Sequence, residues 1–560
     1  MPLPWRSAKS YFRCSDKRRG AARGVIGFMK TQCTLLNSAS SFVSKLGGQI
    51  SGILHGFDRL RLRGTLRQLY CPAVMEAYMG AQHLMYRDFA AMAERATDKV
   101  KAASEAFAAR LSRPLIYLNS NSQSKEALAR QVAEQDSIDR GLIAVFKAVE
   151  PCWSHTIRRK ADGSGFEFRL EVRKCLHFYF YFEHERFGFM HVRLQSWFPF
   201  EVELCLNGRH WLARQLDKAG VAYRKRENAL VWVEDMAAAQ RLLDQQKEID
   251  WQKELEKLLR LIHPASMEIC RPLALQYYWS VSQSEYATDV LFNRPEDLAR
   301  IYPSLVHHAL RSFSSPDVMR FLGHKVPTKS GRVDPRFKGE VVSDLKDRPE
   351  GIRVKHRLDG NSIKLYDKQG SVLRVETTIN HPKEFRVYRR AEGDPKGARA
   401  WRVMRRGVGD MARRAEVCKA SNQRYLQALS ATSNVVPLFE WTTRVCRPIK
   451  RQGRRYRALN PFSVTDAALL QAVNRGEFAI NGFRNRDLRQ LLHPGRFPKE
   501  IKKKHARSTG RQIRLLRMHG LLAKVSHTHR YVLTEKGRHT ITALLAAQQA
   551  NTQQLTQLAA

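Results

Sequence analysis

The stretch Thr509–Gly537 reads TGRQIRLLRMHGLLAKVSHTHRYVLTEKG and predicts a helix, a hairpin and the start of a second helix. The first helix is expected over Thr509–His519, because its apolar positions recur with a helical period and Gly520 follows as a stop. Two short apolar strands, Leu521–Val525 and Tyr531–Leu533, then flank a polar turn. The stretch therefore predicts a two-stranded wing between two helices.

Two further helices precede this stretch, and one completes it. A helix is expected from Thr465 and another over Asn485–Leu492, while Thr534 supplies the N-cap of the closing helix. Three helices, a two-stranded wing and a closing helix together predict a winged helix-turn-helix over residues 461–560.

Two phrases in this region, GLLAKV and RYVLTEKG, are similar to those of MarR-type regulators, and Gly520 stands where that family has its hinge glycine. The resemblance implies a third helix that enters the major groove of duplex DNA and a wing that touches the backbone or the minor groove. MarR-type regulators are small dimers, whereas this region belongs to a chain of 560 residues. We therefore expect it to direct a larger protein to its site.

The predicted third helix and its flanks are strongly basic. Arginine grips phosphate and reads guanine edges with two parallel hydrogen bonds, so cations at these positions point to nucleic-acid binding. The alternative is a winged helix that contacts another protein, a use that is usually less basic. The residues predicted to bind nucleic acid here are Lys502, Lys503, Lys504, Arg507, Arg511, Arg514, Arg517 and Arg530.

The whole chain is basic, with 97 Lys and Arg against 53 Asp and Glu, which gives a formal charge of +44. Self-repulsion on this scale opposes a compact fold unless a polyanion offsets it, and nucleic acid is the commonest such partner. No apolar run reaches the roughly 18 residues of a membrane span, so we expect no membrane contact. Nine scattered cysteines without a C-x-x-C pair predict reduced thiols in a cytoplasmic, nucleoid-associated protein.

The texture of the sequence changes along the chain, and its length predicts three or four domains of about 150 residues each. We expect an α+β multidomain protein with antiparallel β-sheets and packed helices in the body, followed by the C-terminal winged helix-turn-helix. The predicted regions are a basic arm at 1–29, a mainly helical region at 30–150, an α+β domain with a long aromatic β-hairpin at 151–247, an α+β domain with an antiparallel meander at 248–435, a basic linker at 436–460 and the winged helix at 461–560.

Two further basic segments are candidates for phosphate contacts. Residues 52–67 read GILHGFDRLRLRGTLR, in which Arg59, Arg61 and Arg63 alternate with leucines as in a strand or a short amphipathic helix. The alternative is that these cations form a solvated face. The basic linker adds Arg451, Arg454 and Arg455.

Aromatic side chains are concentrated in the predicted hairpin of the second region. Exposed aromatics on a sheet stack on the bases of single-stranded nucleic acid. The commoner alternative is that such a run forms hydrophobic core. The residues concerned are Phe178, Tyr179, Phe180, Tyr181, Phe182, Trp197, Phe198 and Phe200.

The candidate active site lies on a meander of three predicted strands, Ile352–Leu358, Ser362–Tyr366 and Ser371–Ile379. Apolar residues alternate with polar ones at period two, so one side of the strands makes core and the other side is polar. If the register brings the polar sides together, a basic face with one tyrosine and one carboxylate results. The polar residues in question are Lys364, Tyr366, Arg374 and Glu376.

Cleavage of a phosphodiester needs a nucleophile, a group that offsets developing charge and, in most enzymes, a divalent metal held by carboxylates. In this interpretation Tyr366 is the nucleophile, Glu376 a ligand of Mg²⁺ or Mn²⁺, and Lys364 or Arg374 the charge stabiliser. The alternative is an ion pair on a solvated sheet with a packed tyrosine. Further candidates for the metal shell are Asp344, Asp367, Glu340 and His356.

The phrases KLYDK and VLRVET around Tyr366 and Glu376 resemble a segment of the filamentous-phage-type rolling-circle replication initiators. The resemblance implies that Tyr366 cuts DNA, although the paired-histidine metal motif of those enzymes is not found. A second polar cluster, residues 278–289, places Glu285 and Asp289 four apart, where a helix would let both hold a metal.

These observations predict a DNA-binding mobile-element or replicon protein with metal-dependent nicking or strand transfer. One alternative is a non-enzymatic winged-helix transcriptional regulator. Another is a structured-RNA-binding component of a ribonucleoprotein, because the body could hold single-stranded DNA or folded RNA by the same phosphate contacts. No motif for a nucleotide or redox cofactor is found.

Overall fold

The structure, a computed structural model, describes residue 42 and residues 46–119, 123–324, 328–329, 332–333, 340–391, 393–394, 396–430, 438–451, 453–476, 478, 482–526 and 528–550. The predicted basic arm at 1–29 lies outside the described residues. The strands, in chain order, are β1 (Ile50–Thr65), β2 (Leu115–Tyr117), β3 (Gly141–Arg159), β4 (Phe166–His184), β5 (Gly188–Gln195), β6 (Val202–Asn207), β7 (Tyr223–Arg226), β8 (Ala229–Val233), β9 (Tyr278–Phe292), β10 (Thr328–Lys329), β11 (Arg332–Val333), β12 (Val341–Lys346), β13 (Arg353–Leu358), β14 (Asn361–Lys368), β15 (Val372–Ile379), β16 (Arg386–Arg389), β17 (Ala400–Val403), β18 (Ile449–Arg451), β19 (Arg454–Tyr456), β20 (Leu522–Lys524) and β21 (Tyr531–Leu533).

Fifteen α-helices accompany the strands in the part of the chain that the structure describes, and none of them is long and apolar enough to cross a membrane. They are α1 (Pro72–Gly80), α2 (Phe89–Arg110), α3 (Lys125–Gln135), α4 (Gly208–Ala219), α5 (Met236–Asp244), α6 (Trp251–Ile262), α7 (Ser266–Cys270), α8 (Pro295–Ser312), α9 (Ser315–Phe321), α10 (Met411–Leu429), α11 (Leu438–Val445), α12 (Val464–Val473), α13 (Asn485–Leu492), α14 (Lys499–Met518) and α15 (Glu535–Gln549).

One mixed sheet of eleven strands forms the body, in the order β12-β13-β14-β15-β9-β1-β6-β5-β4-β3-β2. All neighbours are antiparallel except β2 and β3, which are parallel. The predicted α+β class is therefore confirmed. Strand β1 pairs with β6 on one side and β9 on the other, so strands from all three predicted body regions share this sheet. The boundaries predicted at residues 150 and 247 do not divide it.

The two faces of the sheet differ. Helices α2 and α10 pack on one face, where Phe107 meets Phe180 and Asn422 bonds the Thr377 hydroxyl. The other face carries the polar side chains of β1, β14, β15 and β9, which the strand register places on the same side. We call it the polar face. A short hairpin, β7–β8, covers part of it and brings Asn228 onto β15.

The predicted aromatic run is core rather than an exposed stacking platform. Seven of its eight members are buried on one side or the other of β4 and in the turn before β6, and Trp197 is half-buried. Packing of the sheet against helices on both sides removes these rings from solvent, as the commoner alternative predicted. The buried rings are Phe178, Tyr179, Phe180, Tyr181, Phe182, Phe198 and Phe200.

Three local predictions need correction. Helix α14 begins at Lys499 rather than at Thr509, because the basic run before Thr509 continues the helix on its exposed face. The polar cluster at 278–289 lies in strand β9 and not in a helix, since its neighbours β1 and β15 supply the hydrogen-bonding partners. The first strand of the predicted wing, expected over Leu521–Val525, is confined to β20, Leu522–Lys524.

Candidate functional site

The C-terminal part of the chain runs α12, α13, α14, β20, β21 and α15 around a hydrophobic core of its own. Helix α13 has the predicted bounds, and strand β21 does as well. The Thr534 hydroxyl accepts a hydrogen bond from the Gly537 amide at 2.9 Å and so caps α15 as predicted. Buried Ile513 and Leu516 of α14 anchor that helix on the core, which leaves its opposite side to solvent.

The exposed side of α14 is a row of cations. Arg507, Arg511 and Arg514 are exposed and, among the described residues, none of them pairs with a carboxylate. Arg517 is half-buried beside the Tyr531 ring, 5.9 Å from its centroid. These residues line an open groove of about 990 Å³ between α14 and β21. We call the set the α14 basic face, and its members are Lys502, Lys503, Lys504, Arg507, Arg511, Arg514 and Arg517.

The lysines of this face lie where a helix least favours them. Lys502, Lys503 and Lys504 are exposed near the N-terminus of α14, and among the described residues Lys503 alone has an acidic partner, Glu500 at 2.9 Å. The N-terminal end of a helix carries partial positive charge, so cations there cost stability and anions are attracted. Three exposed lysines here make the start of α14 strongly positive.

The other predicted basic residues divide into two groups. Arg451, Arg454 and Arg455 are exposed on the short hairpin β18–β19. Arg530 is half-buried and donates to the Gly482 carbonyl at 3.4 Å, so part of its hydrogen-bonding capacity serves the fold. Burial lowers the pKa of Arg530, and neighbouring Arg484 lowers it further.

Strand β1 places Arg59, Arg61 and Arg63 on the polar face, and we call these three the basic strip. Their side chains are 55%, 46% and 35% exposed. Each approaches a glutamate: Glu285 at 3.9 Å, Glu203 at 3.9 Å and Glu201, respectively. The basic strip therefore lies on a strand, one of the two predicted patterns. The neighbouring glutamates partly offset its positive charges, which remain accessible to solvent.

Beside the basic strip lies a group of buried ionised side chains, which we call the charge cluster. Lys364 and Glu376 are direct partners in the β14–β15 register, which brings the polar sides of the two strands together, and the Lys364 ammonium donates to Glu376 and, at 3.0 Å, to Glu285. Desolvation of ions is expensive, so such groups persist only with close partners. The cluster comprises Asp58, Arg209, Glu285, Asp289, Lys364, Arg374 and Glu376.

Arg374 holds the inner half of the cluster. Its guanidinium makes a two-pronged contact with Asp289, at 2.6 and 2.9 Å, and reaches Asp58 at 3.1 Å. It also donates to the Asn228 carbonyl at 2.9 Å. Burial works against ionisation of Asp289, yet the positive charges of Arg209 and Arg374 hold its pKa below the ordinary value. In the inner half, therefore, both Asp58 and Asp289 have a guanidinium group in direct contact.

The outer half brings three carboxyl groups together beside one lysine. One oxygen from each of Asp58, Glu285 and Glu376 lies within 4.8 Å of the others, and Lys364 is the cation that bonds two of them. Burial and the nearby Glu285 raise the pKa of Glu376 to about 7. Tyr366 is 7% exposed, and burial with the charge of Glu376 raises the pKa of its hydroxyl to about 12.

The additional metal-shell candidates do not join Glu376. Asp344, on edge strand β12, accepts a hydrogen bond from Arg353. Asp367 lies on the opposite face of β14 from Lys364. His356 faces α10, where it bonds Tyr425, and Glu340 is exposed before β12. The carboxylates that do approach Glu376 are Asp58 and Glu285. Asp58 was missed because its only local signal is one acid in a basic strand, while Glu285 was assigned to a helix.

Comparisons with known proteins gave no match to this chain among family models, curated proteins or solved structures. What the protein does is therefore inferred from its own residues, above all from the α14 basic face, the basic strip and the charge cluster.

Proposed function

We propose that this protein binds nucleic acid through the α14 basic face, with duplex DNA as the ligand. The observation that carries the proposal is the row of exposed arginines at Arg507, Arg511 and Arg514 beside an open groove, none of which pairs with a carboxylate among the described residues. Unpaired guanidinium groups on one helix side release counterions from DNA when they neutralise phosphates, and this drives binding. A formal charge of +44 is in keeping with a polyanionic partner.

The order of the C-terminal elements supports a winged helix-turn-helix. In this interpretation α13 and α14 form the helix-turn-helix, α14 is the recognition helix, and β20–β21 with its turn is the wing. Arg511 and Arg514 would then reach base edges, while the lysines near the start of α14 contact phosphates.

The body would add a second contact on the polar face. The basic strip is open to solvent, and the hairpin β18–β19 carries three more exposed arginines next to the C-terminal part of the chain. Phosphate contacts of this kind suit single-stranded DNA and folded RNA equally. The proposed biological setting is a mobile-element or replicon protein that is addressed to its DNA site by α14.

Two binding measurements test the proposal. The full chain is purified at low salt and the nucleic acid that accompanies it is sequenced, and its affinity for duplex DNA, single-stranded DNA and a folded RNA is measured by fluorescence anisotropy. We expect duplex DNA to bind tightest and the α14 basic face to dominate that affinity. Tightest binding to one structured RNA would overturn the assignment and favour a ribonucleoprotein component.

Metal-dependent strand cleavage is a second candidate function, favoured by the three mutually close carboxylates Asp58, Glu285 and Glu376. Carboxylate oxygens suit Mg²⁺ or Mn²⁺, which would offset the charge that develops on a phosphate. Such an ion would compete with the ammonium group of Lys364 for the carboxylates of Glu285 and Glu376. The proposed nucleophile Tyr366 would lose its phenolic proton, form a phosphotyrosine bond and release a 3′-hydroxyl. Because Tyr366 is buried and its pKa is raised, DNA binding would first have to expose its hydroxyl group.

Relaxation of supercoiled plasmid in Mg²⁺ or Mn²⁺ tests this second candidate. Glu376→Gln should abolish nicking and preserve DNA binding, whereas the matched control Glu350→Gln removes a half-exposed carboxylate that pairs with Lys368 and should have no effect. Nicking that survives in Glu376→Gln contradicts the proposal. Binding without nicking in the unaltered chain would leave a non-enzymatic regulator as the better description.

A further inference from the structure

Two cysteines and a histidine meet on the polar face, at a position that none of the functions above uses. Cys152 lies on β3, and Cys175 and His177 lie two residues apart on the adjacent strand β4. The register pairs Cys152 with Arg173, so Cys175 is its diagonal neighbour on the same face. A sulfur from each cysteine and a ring nitrogen of His177 all lie within 4.8 Å of one another.

The histidine is held in the form that binds metals. The His177 side chain is buried. Its Nδ1 lies 3.2 Å from the Cys175 carbonyl, which can only accept, so Nδ1 carries the proton and Nε2 keeps its lone pair. A histidine ligand of a metal commonly donates its other N–H to a carbonyl in this way.

The two cysteines are free thiols close to each other on adjacent strands. Cys152 is buried and Cys175 is half-buried. Two thiolates would balance the charge of one divalent ion, which makes the buried site neutral on loading.

We propose that Cys152, Cys175 and His177 bind a zinc ion. Two thiolates and one imidazole are a ligand set that zinc prefers, and hard cations such as Mg²⁺ avoid it. Glu150, the register partner of Cys175, is bonded to Lys125 and Tyr179 and so is engaged elsewhere. Three protein ligands leave one coordination position for water or for an anionic group of a bound partner.

The site would stabilise the strand pair that extends beyond the rest of the sheet. Strand β5 pairs with β4 only from His177 onward, so residues 150–175 of the β3–β4 pair lack that neighbour. A metal at the point where the third strand ends would fix the direction of this two-stranded arm. The proposal is independent of nucleic-acid binding, because it uses none of the α14 basic face, the basic strip or the charge cluster.

Metal content tests the proposal directly. The full chain is produced in zinc-supplemented medium under reducing conditions, dialysed against metal-free buffer and analysed by mass spectrometry of the elements. We expect about one zinc per chain. In Cys152→Ser and in Cys175→Ser the zinc content should fall by at least about tenfold. The matched controls Cys71→Ser and Cys270→Ser remove a thiol outside the site and should retain the ion.

Cobalt substitution keeps the test decisive if a variant folds poorly. In the unaltered chain, Co²⁺ should give thiolate-to-metal charge-transfer absorption and the strong visible bands of a tetrahedral site, and zinc should displace both. Circular dichroism shows whether each variant is folded. Absence of metal from the unaltered chain, retention of zinc by folded Cys152→Ser, or a cobalt spectrum without thiolate character each overturns the proposal.

Discussion

Removal of three arginines from the α14 basic face should weaken DNA binding by an amount that follows from their surroundings. Arg507, Arg511 and Arg514 are exposed and unpaired within the described residues, so replacing them with alanine removes charge without breaking an internal ion pair. Each phosphate contact contributes about 0.9 to the slope of log K against log salt, so three contacts contribute about 2.7. At 0.1 M salt this corresponds to roughly 500-fold weaker binding, or about 3.7 kcal/mol.

Fluorescence anisotropy with a labelled duplex, measured over a series of salt concentrations, gives both the affinity and the slope. The matched control replaces three exposed arginines with alanine and so lowers the net charge by the same amount. These arginines form ion pairs within the structure: Arg140 with Glu185, Arg241 with Asp235 and Arg300 with Asp297. The control should keep most of the affinity. If the two triple variants weaken binding alike, only net charge matters and the α14 basic face is not the binding site.

Three further predictions concern stability. Lys364→Met leaves Glu285 and Glu376 as buried carboxylates without their cation, so urea denaturation should show a loss of about 3–5 kcal/mol, and an unchanged midpoint would contradict the described network. Burial raises the pKa of Glu376 from 4.5 to about 7, so the native chain holds this proton more tightly than the unfolded chain does. The resulting stability is present below pH 4.5 and is lost as pH rises through 7, and Glu376→Gln should flatten the pH dependence of the unfolding free energy in that window. Gly208→Ala would place a Cβ 1.6 Å from the Phe57 carbonyl oxygen and should lower the thermal midpoint strongly, whereas Gly80→Ala meets no atom within 4 Å and should not.

Local signals in the sequence predicted individual elements well. Thr534 caps α15 by accepting from the Gly537 amide, and Gly520 follows the end of α14 with a φ of 75°, as the residue types required. The three-strand meander was recognised from its alternation and turn residues, and its register pairs Lys364 with Glu376. Such features depend on residues a few positions apart, so the local sequence is enough to predict them.

The prediction for residues 278–289 was wrong, because their conformation depends on strands distant in the sequence. The alternating polar residues of β9 look like a candidate helix when taken alone, and only pairing with β1 and β15 makes them a buried strand. Hydrogen-bonding partners and burial on both sides override local propensity in such a central strand.

The sequence by itself determined the basic character of the protein, the α+β class and the cationic positions of α14, because charge is additive and helical periodicity is local. Only the tertiary structure decided which side chains meet. Asp58, Glu285 and Glu376 come from three separated strands, and Cys152 reaches Cys175 and His177 through the register of β3 and β4. Register is fixed by which residues must be buried and by where the chain turns, so a single sequence position carries no record of its partner across the sheet.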